Sequence, residues 1–342
     1  MRLRPHVKTT KCVDAARIQL DATTGPITVS TLAEARGFAA EGFTDITYAV
    51  PAAPSSGPEL CRLAGELERL RVDVDHPGTV DALESAARRA GVRLELMLEA
   101  DCGDHRCGVD PRAATSIELA RRIAASPDLD FAGILTHGGQ SYRSRQRSDA
   151  ATVAELERDT MVAFADRLRS AGLEVGEVSV GSTPTVTAAH HFDGVTEVRP
   201  GNYVVFDAFQ AAIGSCSVDD VACWVVSEVR GVYPQRRQLV VDAGALALSV
   251  DPGPRHVDPG CGFGLVCDLE TGRPLSGLTV VKLSQEHGLI QADDDVDVSM
   301  LAPGDRLRII PNHSCLAIAC HETVHVVEGD RLVERWRPIR GW

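Results

Sequence analysis

The sequence predicts a (β/α)8 barrel followed by an antiparallel β domain. Two observations carry that expectation. Through the first two hundred residues, short β-branched runs alternate with longer segments whose apolar residues recur every three or four positions. That is the pattern of parallel strands joined by crossover helices. After about Asp207 the helical periodicity fades, and short strand-like runs lie between Gly, Pro and Asp turns, the texture of an antiparallel sheet. The expected division is 1–206 and 207–342.

Eight runs read as barrel strands: Leu3–Lys8, Ile27–Ser30, Asp45–Val50, Arg71–Asp75, Arg93–Glu99, Phe131–His137, Glu177–Gly181 and Val195–Arg199. Between them, Ala-, Glu- and Arg-rich segments such as Leu32–Ala40, Val80–Ala90 and Ala150–Ala171 read as helices with one apolar face. Eight βα units close a barrel. A doubly wound sheet is the alternative, but no Gly-x-Gly-x-x-Gly follows the first strand. In the second region the strands are Val221–Val232, Gln238–Asp242, Thr279–Leu283, Arg306–Ile310 and Val324–Val327, with Pro303-Gly304-Asp305 as a turn.

The bulk numbers narrow the class. The 342 residues are 44% hydrophobic and 24% charged, enough to bury a core without metals or disulfides as staples. The net charge of −13 argues against nucleic acid or an anionic membrane as a main partner. Asp293-Asp294-Asp295 is the one acidic run and reads as a solvated loop. No signal-peptide h-region and no apolar run of membrane-spanning length is present, so a cytoplasmic protein is expected. Its ten cysteines then read mostly as reduced core residues. Cys12, Cys61, Cys216, Cys223 and Cys320 have no special neighbours.

Candidate chemistry sits at the strand ends, where a barrel presents reactive groups. Lys8 ends the first strand, inside Arg4-Pro5-His6-Val7-Lys8-Thr9-Thr10-Lys11. A lysine there suits a Schiff base, and a surface lysine is the plain alternative. After the fifth strand comes Glu99-Ala100-Asp101-Cys102-Gly103-Asp104-His105-Arg106-Cys107-Gly108. Its Cys and His residues lack a fourth ligand at zinc-type spacing. Arg106 could serve a ligand, or form a surface salt bridge. Thr136-His137-Gly138-Gly139-Gln140-Ser141-Tyr142 follows the sixth strand, and its glycines allow close backbone approach to a ligand. Gly181-Ser182-Thr183-Pro184-Thr185 follows the seventh, where barrels often hold phosphate. A helix N-cap accounts for Ser182 and Thr183 equally well. Near the other end, Pro311-Asn312-His313-Ser314-Cys315 carries a His-x-Cys pair. If that segment is a strand, His313 and Cys315 share a face and could share a zinc-type ion. A core cysteine beside a hydrogen-bonded histidine is the alternative.

Taken together, these motifs resemble the D-serine dehydratase/D-threonine aldolase family of pyridoxal phosphate enzymes, which have the alanine-racemase-like, fold type III architecture. Arg4-Pro5-His6-Val7-Lys8-Thr9-Thr10-Lys11 resembles the family's Arg-Pro-His-x-Lys-Thr-x-Lys, with Thr10 where members usually have His. The Asp101–Gly108 loop is similar to Asp-x-Gly-x-x-Arg-x-Gly. Glu197-Val198-Arg199-Pro200-Gly201-Asn202-Tyr203 matches Glu-x-Arg-Pro-Gly-x-Tyr, and Gln285-Glu286-His287-Gly288 resembles a Glu-His-Gly turn. Gln140 departs from the family's Gly-His-Ser-Tyr. The resemblance runs to Trp336-Arg337-Pro338-Ile339-Arg340-Gly341.

The resemblance implies roles. Lys8 would carry pyridoxal 5'-phosphate. Arg106 would face the cofactor's phenolic oxygen, and His137 and Tyr142 would reach cofactor or substrate. Gly181, Ser182 and Thr183 would hold phosphate, and Arg199 or Tyr203 the pyridine nitrogen. His313 and Cys315 would bind Zn2+. The implied activity is a D-amino acid lyase, dehydrating D-serine or a related D-3-hydroxy amino acid. D-threonine aldolase is the alternative, although family aldolases tend to have Asp where Cys315 sits. A non-catalytic cofactor-binding protein is the alternative of another class. The partners implied are a small D-amino acid and a second copy in a homodimer. Family members usually carry a strand and helix before the lysine strand, whereas here the lysine stands at position 8. The expectation is an exposed apolar patch beside the first strand, with Leu3 and neighbours of the last barrel strand more exposed than usual, and an unpaired sheet edge in the β domain.

Overall fold

The computed structural model describes residues 1–342 in two compact units. One comprises residues 1–144, 148–201 and 339–342, the other residues 145–147 and 202–338. Residues 202–206, assigned from sequence to the barrel, thus lie in the second unit, and 339–342 in the first.

The first unit is the expected parallel barrel. Its strands are β1 (Arg2–Leu3), β2 (Ile27–Val29), β3 (Asp45–Tyr48), β4 (Arg69–Val74), β5 (Leu94–Glu99), β6 (Leu129–Leu135), β7 (Glu177–Val180) and β8 (Glu197–Val198). They run in the order β1-β8-β7-β6-β5-β4-β3-β2, all parallel. The seam between β1 and β2 closes through Thr28, whose N–H donates to Pro5 O at 2.9 Å and whose Oγ1 donates to Arg4 O at 3.3 Å. The helices are α1 (Val13–Leu20), α2 (Leu32–Ala40), α3 (Gly57–Glu66), α4 (Pro77–Ala90), α5 (Ala114–Ala124), α6 (Arg147–Ser170) and α7 (Thr183–Ala188). In α4, Val80, Leu83 and Ala87 are buried one turn apart while Asp81 and Arg88 face water, the stripe a sheet-packed helix needs. Gly91 ends that helix at φ 67°, in the left-handed conformation that favours glycine.

One strand needs correction. The run Leu3–Lys8 is not a continuous strand: β1 has two residues, and Lys8 lies in a 3-10 turn, Val7–Thr9. Pro5 has no N–H for a ladder. The segment is instead tied by Arg4 N to Val198 O and His6 N to Pro200 O, both 2.9 Å. Leu3 is exposed as expected, at 39%. Residues 4–10 are buried, however, apart from a half-buried Lys8, Val198 of the last barrel strand is only 2% exposed, and the six-stranded sheet of the second unit closes on itself without a free edge.

The barrel interior departs from the usual aliphatic filling. Near the strand starts Arg4, Arg71, Glu177 and Glu197 are all buried. Arg4 Nε lies 2.6 Å from Glu197 and its Nη1 2.7 Å from Asp45, while Arg71 Nη2 is 3.0 Å from Glu177. The aliphatic core lies among residues such as Ile46, Leu60, Leu83, Leu96 and Phe164.

The second unit contains a closed antiparallel barrel in the order β10-β13-β12-β11-β14-β9. Its strands are β9 (Val225–Tyr233), β10 (Gln238–Val241), β11 (Leu265–Cys267), β12 (Pro274–Leu283), β13 (Gly288–Ala292) and β14 (Arg306–Ile310). A separate hairpin joins β15 (Val324–Glu328) to β16 (Arg331–Trp336). Three short helices complete the unit: α8 (Ala208–Ala212), α9 (Ala245–Leu248) and α10 (Ser314–Cys320). Val229, Leu239, Val280, Ile290 and Ile309 form its core. Asp293, Asp294 and Asp295 are exposed, as expected. Cys12, Cys61, Cys102 and Cys267 are buried and Cys320 is exposed. No helix is long and apolar enough to cross a membrane.

Candidate active site

The lysine turn is built by both flanking motifs. Gly201 lies against it: a Cβ there would meet His6 O at 3.1 Å and Thr9 Oγ1 at 3.2 Å. Lys11 pairs with the buried Glu34, which accepts from Ser30 N at 2.7 Å, and Ser30 Oγ meets His6 Nε2 at 3.2 Å. The second motif lysine therefore holds the turn that presents the first. His6 Nδ1 is buried without a partner. Burial, then the Lys8 charge, pushes the His6 pKa well below the ordinary imidazole value.

His137 shares this neighbourhood. Its pKa falls to about 3, through burial first and then the charges of Lys8 and Arg106. The neutral ring donates from Nδ1 to Gly181 O at 3.2 Å, which leaves Nε2 as an acceptor. Tyr142, in the 3-10 turn Gly139–Arg143, places its ring centroid 6.2 Å from that of His137. Arg199 is buried and donates to Ser179 Oγ and Thr136 O. Burial pulls its pKa down. Arg106 stands on the loop after β5, with Nη2 3.7 Å from Glu99 Oε1. Asp101 Oδ1 fixes that loop by accepting from Gly103 N at 2.8 Å and His105 N at 3.0 Å. A small open cleft is lined by Glu99, Asp104, Arg106, Cys107, Thr136 and His137, among others.

At the end of β7, Gly181 has φ 126°. A Cβ there would meet Arg199 N at 3.0 Å and Val186 Cγ2 at 3.1 Å. The N-cap alternative describes Ser182: its Oγ accepts from Thr185 N at 3.3 Å, and Thr185 Oγ1 accepts from Ser182 N at 2.9 Å. Thr183 is the first residue of α7.

The barrel residues fit pyridoxal phosphate. They offer a lysine amine beside neutral imidazoles, the orphaned buried His6 Nδ1, an arginine for an anionic oxygen and another for a ring nitrogen, and a glycine cradle that a Cβ would fill.

In the second unit the His-x-Cys pair corrects an expectation. His313 and Cys315 are not on a strand. His313 has extended backbone and caps α10, and Cys315 is that helix's second residue. Their side chains still converge, with a hydrogen bond between them. Asp251 Oδ2 holds His313 Nδ1 at 3.0 Å, leaving Nε2 for another partner. The His313 pKa rises to about 10: burial opposes protonation, and Asp251 and Cys315 outweigh it. Asn202 Nδ2 reaches Cys315 Sγ at 3.7 Å, Ser314 Oγ at 3.0 Å and Asp207 Oδ2 at 2.6 Å. Ser314 N donates to the same Asp207 oxygen at 3.0 Å. Imidazole plus thiol, with a carboxylate behind the imidazole, fits a zinc-type ion. Nowhere are three or more His, Cys, Asp or Glu side chains gathered around a metal position. Tyr203 lies in this unit's 3-10 turn, Asn202–Val204. The Gln285–Gly288 turn joins β12 to β13.

Sequence reasoning missed the unpartnered His6 Nδ1 and the supports Asp207 and Asp251. His6 was signalled by the lysine motif itself. Nothing local marks either aspartate, each distant in sequence from what it holds.

Comparison with known proteins gives the class first. Residues 1–208 match the alanine racemase N-terminal domain, and residues 222–327 a serine dehydratase domain. With the alanine-racemase-like fold described above, these define a D-amino acid lyase. The chain is 39% identical over 346 residues to the D-threo-3-hydroxyaspartate dehydratase of Delftia sp. (strain HT23), covering 100% of this chain and 91% of that protein. That dehydratase's solved structure has a TM-score of 0.95 at 38% identity, over 100% of this chain and 91% of that one. Two more of its structures are variants, one histidine to alanine and one cysteine to alanine two positions further on, the latter described as metal-free. The D-serine dehydratase of Dictyostelium discoideum is 33% identical over 364 residues, covering 100% of this chain and 90% of that protein. A D-threonine aldolase of Arthrobacter sp. is 26% identical over 340 residues, covering 98% and 84%. The chain belongs to the D-serine dehydratase/D-threonine aldolase family.

Proposed function

We propose that this lyase dehydrates D-serine or a closely related D-3-hydroxy amino acid to a 2-oxo acid and ammonia, using pyridoxal phosphate and zinc. The observation that carries the reading is the His313–Cys315 pair with Asp251 fixed on His313 Nδ1. It supplies a soft and a borderline donor, already oriented. The Delftia relative's variants at a histidine and a cysteine of the same spacing, the latter described as metal-free, support it.

Lys8 would bind the cofactor, and its Nζ would then take the substrate's α-proton. Bound pyridoxal phosphate supplies the electron sink for that step. Arg106 would face the phenolic oxygen and Arg199 the ring nitrogen. Gly181, Ser182 and Thr183 would receive the phosphate. His137, held neutral, would accept a hydrogen bond at Nε2, and Tyr142 would pack beside it. Zinc on His313 and Cys315 would act as a Lewis acid toward the β-hydroxyl. A homodimer in the cytoplasm belongs to the same reading, and light scattering of a monomer would remove the dimer from it.

Product analysis tests the reaction. D-serine should give pyruvate and ammonia, and a chelator should abolish turnover. Glycine and an aldehyde from D-threonine, without ammonia, would make the chain an aldolase instead. Lys8→Ala should lose the borohydride-reducible adduct with pyridoxal phosphate. An adduct that persists in the variant would move the cofactor to another lysine.

A further inference from the structure

Asp73 near the end of β4 and Glu99 at the end of β5 are buried inside the barrel, 1% and 3% exposed. Neither oxygen of Asp73 has a hydrogen-bond donor, and neither does Glu99 Oε2. Two carboxylates side by side and away from water cannot both ionise. A proton held between them removes the repulsion and satisfies the orphaned oxygens together. Burial first, and then Glu99, raises the Asp73 pKa well above the ordinary value.

The proton is assigned to Asp73, because Glu99 already has partners on its other side. Arg106 Nη2 lies 3.7 Å from its Oε1, and the Cys107 thiol is hydrogen-bonded to it. The groups facing Asp73 do not alter this. Tyr48 on β3 and Asp75 beyond β4 are both acids, and Arg199 just after β8 gives its hydrogen bonds to Ser179 and Thr136. Burial pushes the Tyr48 phenol up, and burial pushes the Cys107 thiol up to about 12. Neither loses its proton near neutral pH.

We propose that Asp73 is a positioning residue for Arg106: its carboxyl proton bridges to Glu99, and Glu99 held in this way anchors the arginine of the Asp101–Gly108 loop. The loop's far end is tied to the same strand region, where Gly108 N donates to Asp75 Oδ2 at 3.0 Å. Raising the pH removes the bridging proton and sets two like charges together, and their repulsion pushes Glu99 out of the position in which it holds Arg106. The bridge is a property of the barrel unit alone. Only the turnover part of its test rests on the proposed function.

Infrared difference spectra of the whole purified protein, titrated with alkali, test the bridge in wild type, Asp73→Asn and Glu99→Gln. Wild type should show a protonated-carboxyl carbonyl band that persists at neutral pH and disappears on the alkaline side. Asp73→Asn should lack that band. So should Glu99→Gln, whose amide would donate to an ionised Asp73, and this variant decides if Asp73→Asn fails to fold. Glu157 and Asp207 are also raised by burial, so the assignment rests on the difference between variants. In turnover of D-serine, the wild-type KM should rise across the same titration, and in Asp73→Asn it should stay flat there. A wild type without the band, or a band that both variants retain, overturns the bridge. A band that titrates while KM does not move overturns the link to Arg106. If no variant turns over any D-3-hydroxy amino acid, the proposed function fails while the infrared result still decides the bridge.

Discussion

Arg4→Met is the sharpest test of how the lysine segment is held. The Arg4 side chain is 1% exposed and bridges Glu197 on β8, 2% exposed, to Asp45 on β3, 27% exposed. Removing one partner of a buried ion pair costs about 3–5 kcal/mol, mostly because the other charge is stranded. Here the stranded charge is Glu197. It would keep Ser179 Oγ at 2.7 Å and Arg71 Nη1 at 3.8 Å, and Asp45 would keep Arg69 at 3.6 Å. These residual partners place the expected loss at the lower end, about 3 kcal/mol. With a urea slope of about 3 kcal/mol/M for a unit this large, the midpoint should fall by about 1 M. Far-UV circular dichroism is the probe, since α1–α7 all belong wholly or mainly to the barrel unit. Glu197→Gln in the same chain should recover most of the loss, because removing both charges removes the stranded one. A single variant costing less than about 1 kcal/mol, or a double variant no better than the single, would refute the stranded-charge argument.

Acid should unfold the barrel through the same layer. Burial would raise the Glu177 pKa, but hydrogen bonds from Arg2 and Thr196 and the charge of Arg71 outweigh it and hold it below the ordinary 4.5. A depressed carboxyl stabilises the fold above its unfolded value and loses that contribution as pH falls through its folded value. Glu177→Gln should therefore flatten the stability curve on the acid side of 4.5, a change visible in urea midpoints taken against pH. Gly181→Ala should cost about 1–3 kcal/mol in backbone strain and weaken pyridoxal phosphate binding in a fluorescence titration; unchanged affinity would remove this loop from the phosphate site. Under the proposed function, His313→Ala and Cys315→Ala should each lose zinc by elemental analysis. Asp251→Asn should weaken zinc affinity by about 10–100-fold, and full retention in all three would remove the metal from this position.

Much of the fold was legible because its signals are local. The helix Leu32–Ala40 and the strand Arg306–Ile310 fall where periodicity puts them. Others needed partners that the sequence does not display. The strand β16 and the helices α8 and α10 were not anticipated. The last two are short: Asp207 caps α8 through its side chain, while His313 stands at the N-cap position of α10 without a side-chain bond to it. The charged layer was invisible for a similar reason. Arg71 and Glu177 are 106 residues apart, and a lone Arg or Glu in a strand reads as solvent-facing until its partner is known.

The candidate site shows where such reasoning succeeds by the wrong route. A His-x-Cys pair was expected to converge because residues two apart share a face of a strand. The structure brings the pair together at a helix start, where His313 is extended and Ser314 turns the chain by donating its N–H to Asp207. Convergence therefore depends on a carboxylate more than a hundred residues earlier, and the orientation of His313 on Asp251, sixty-two residues earlier. Lys8 follows the same logic. Its place was read from a strand end, whereas it is set by a turn that Gly201, Glu34 and Lys11 hold in shape. In both cases the reactive residues were legible because their chemistry is scarce. The residues that aim them were not, because an Asp, Glu or Gly has many common uses, and only the fold decides which one applies.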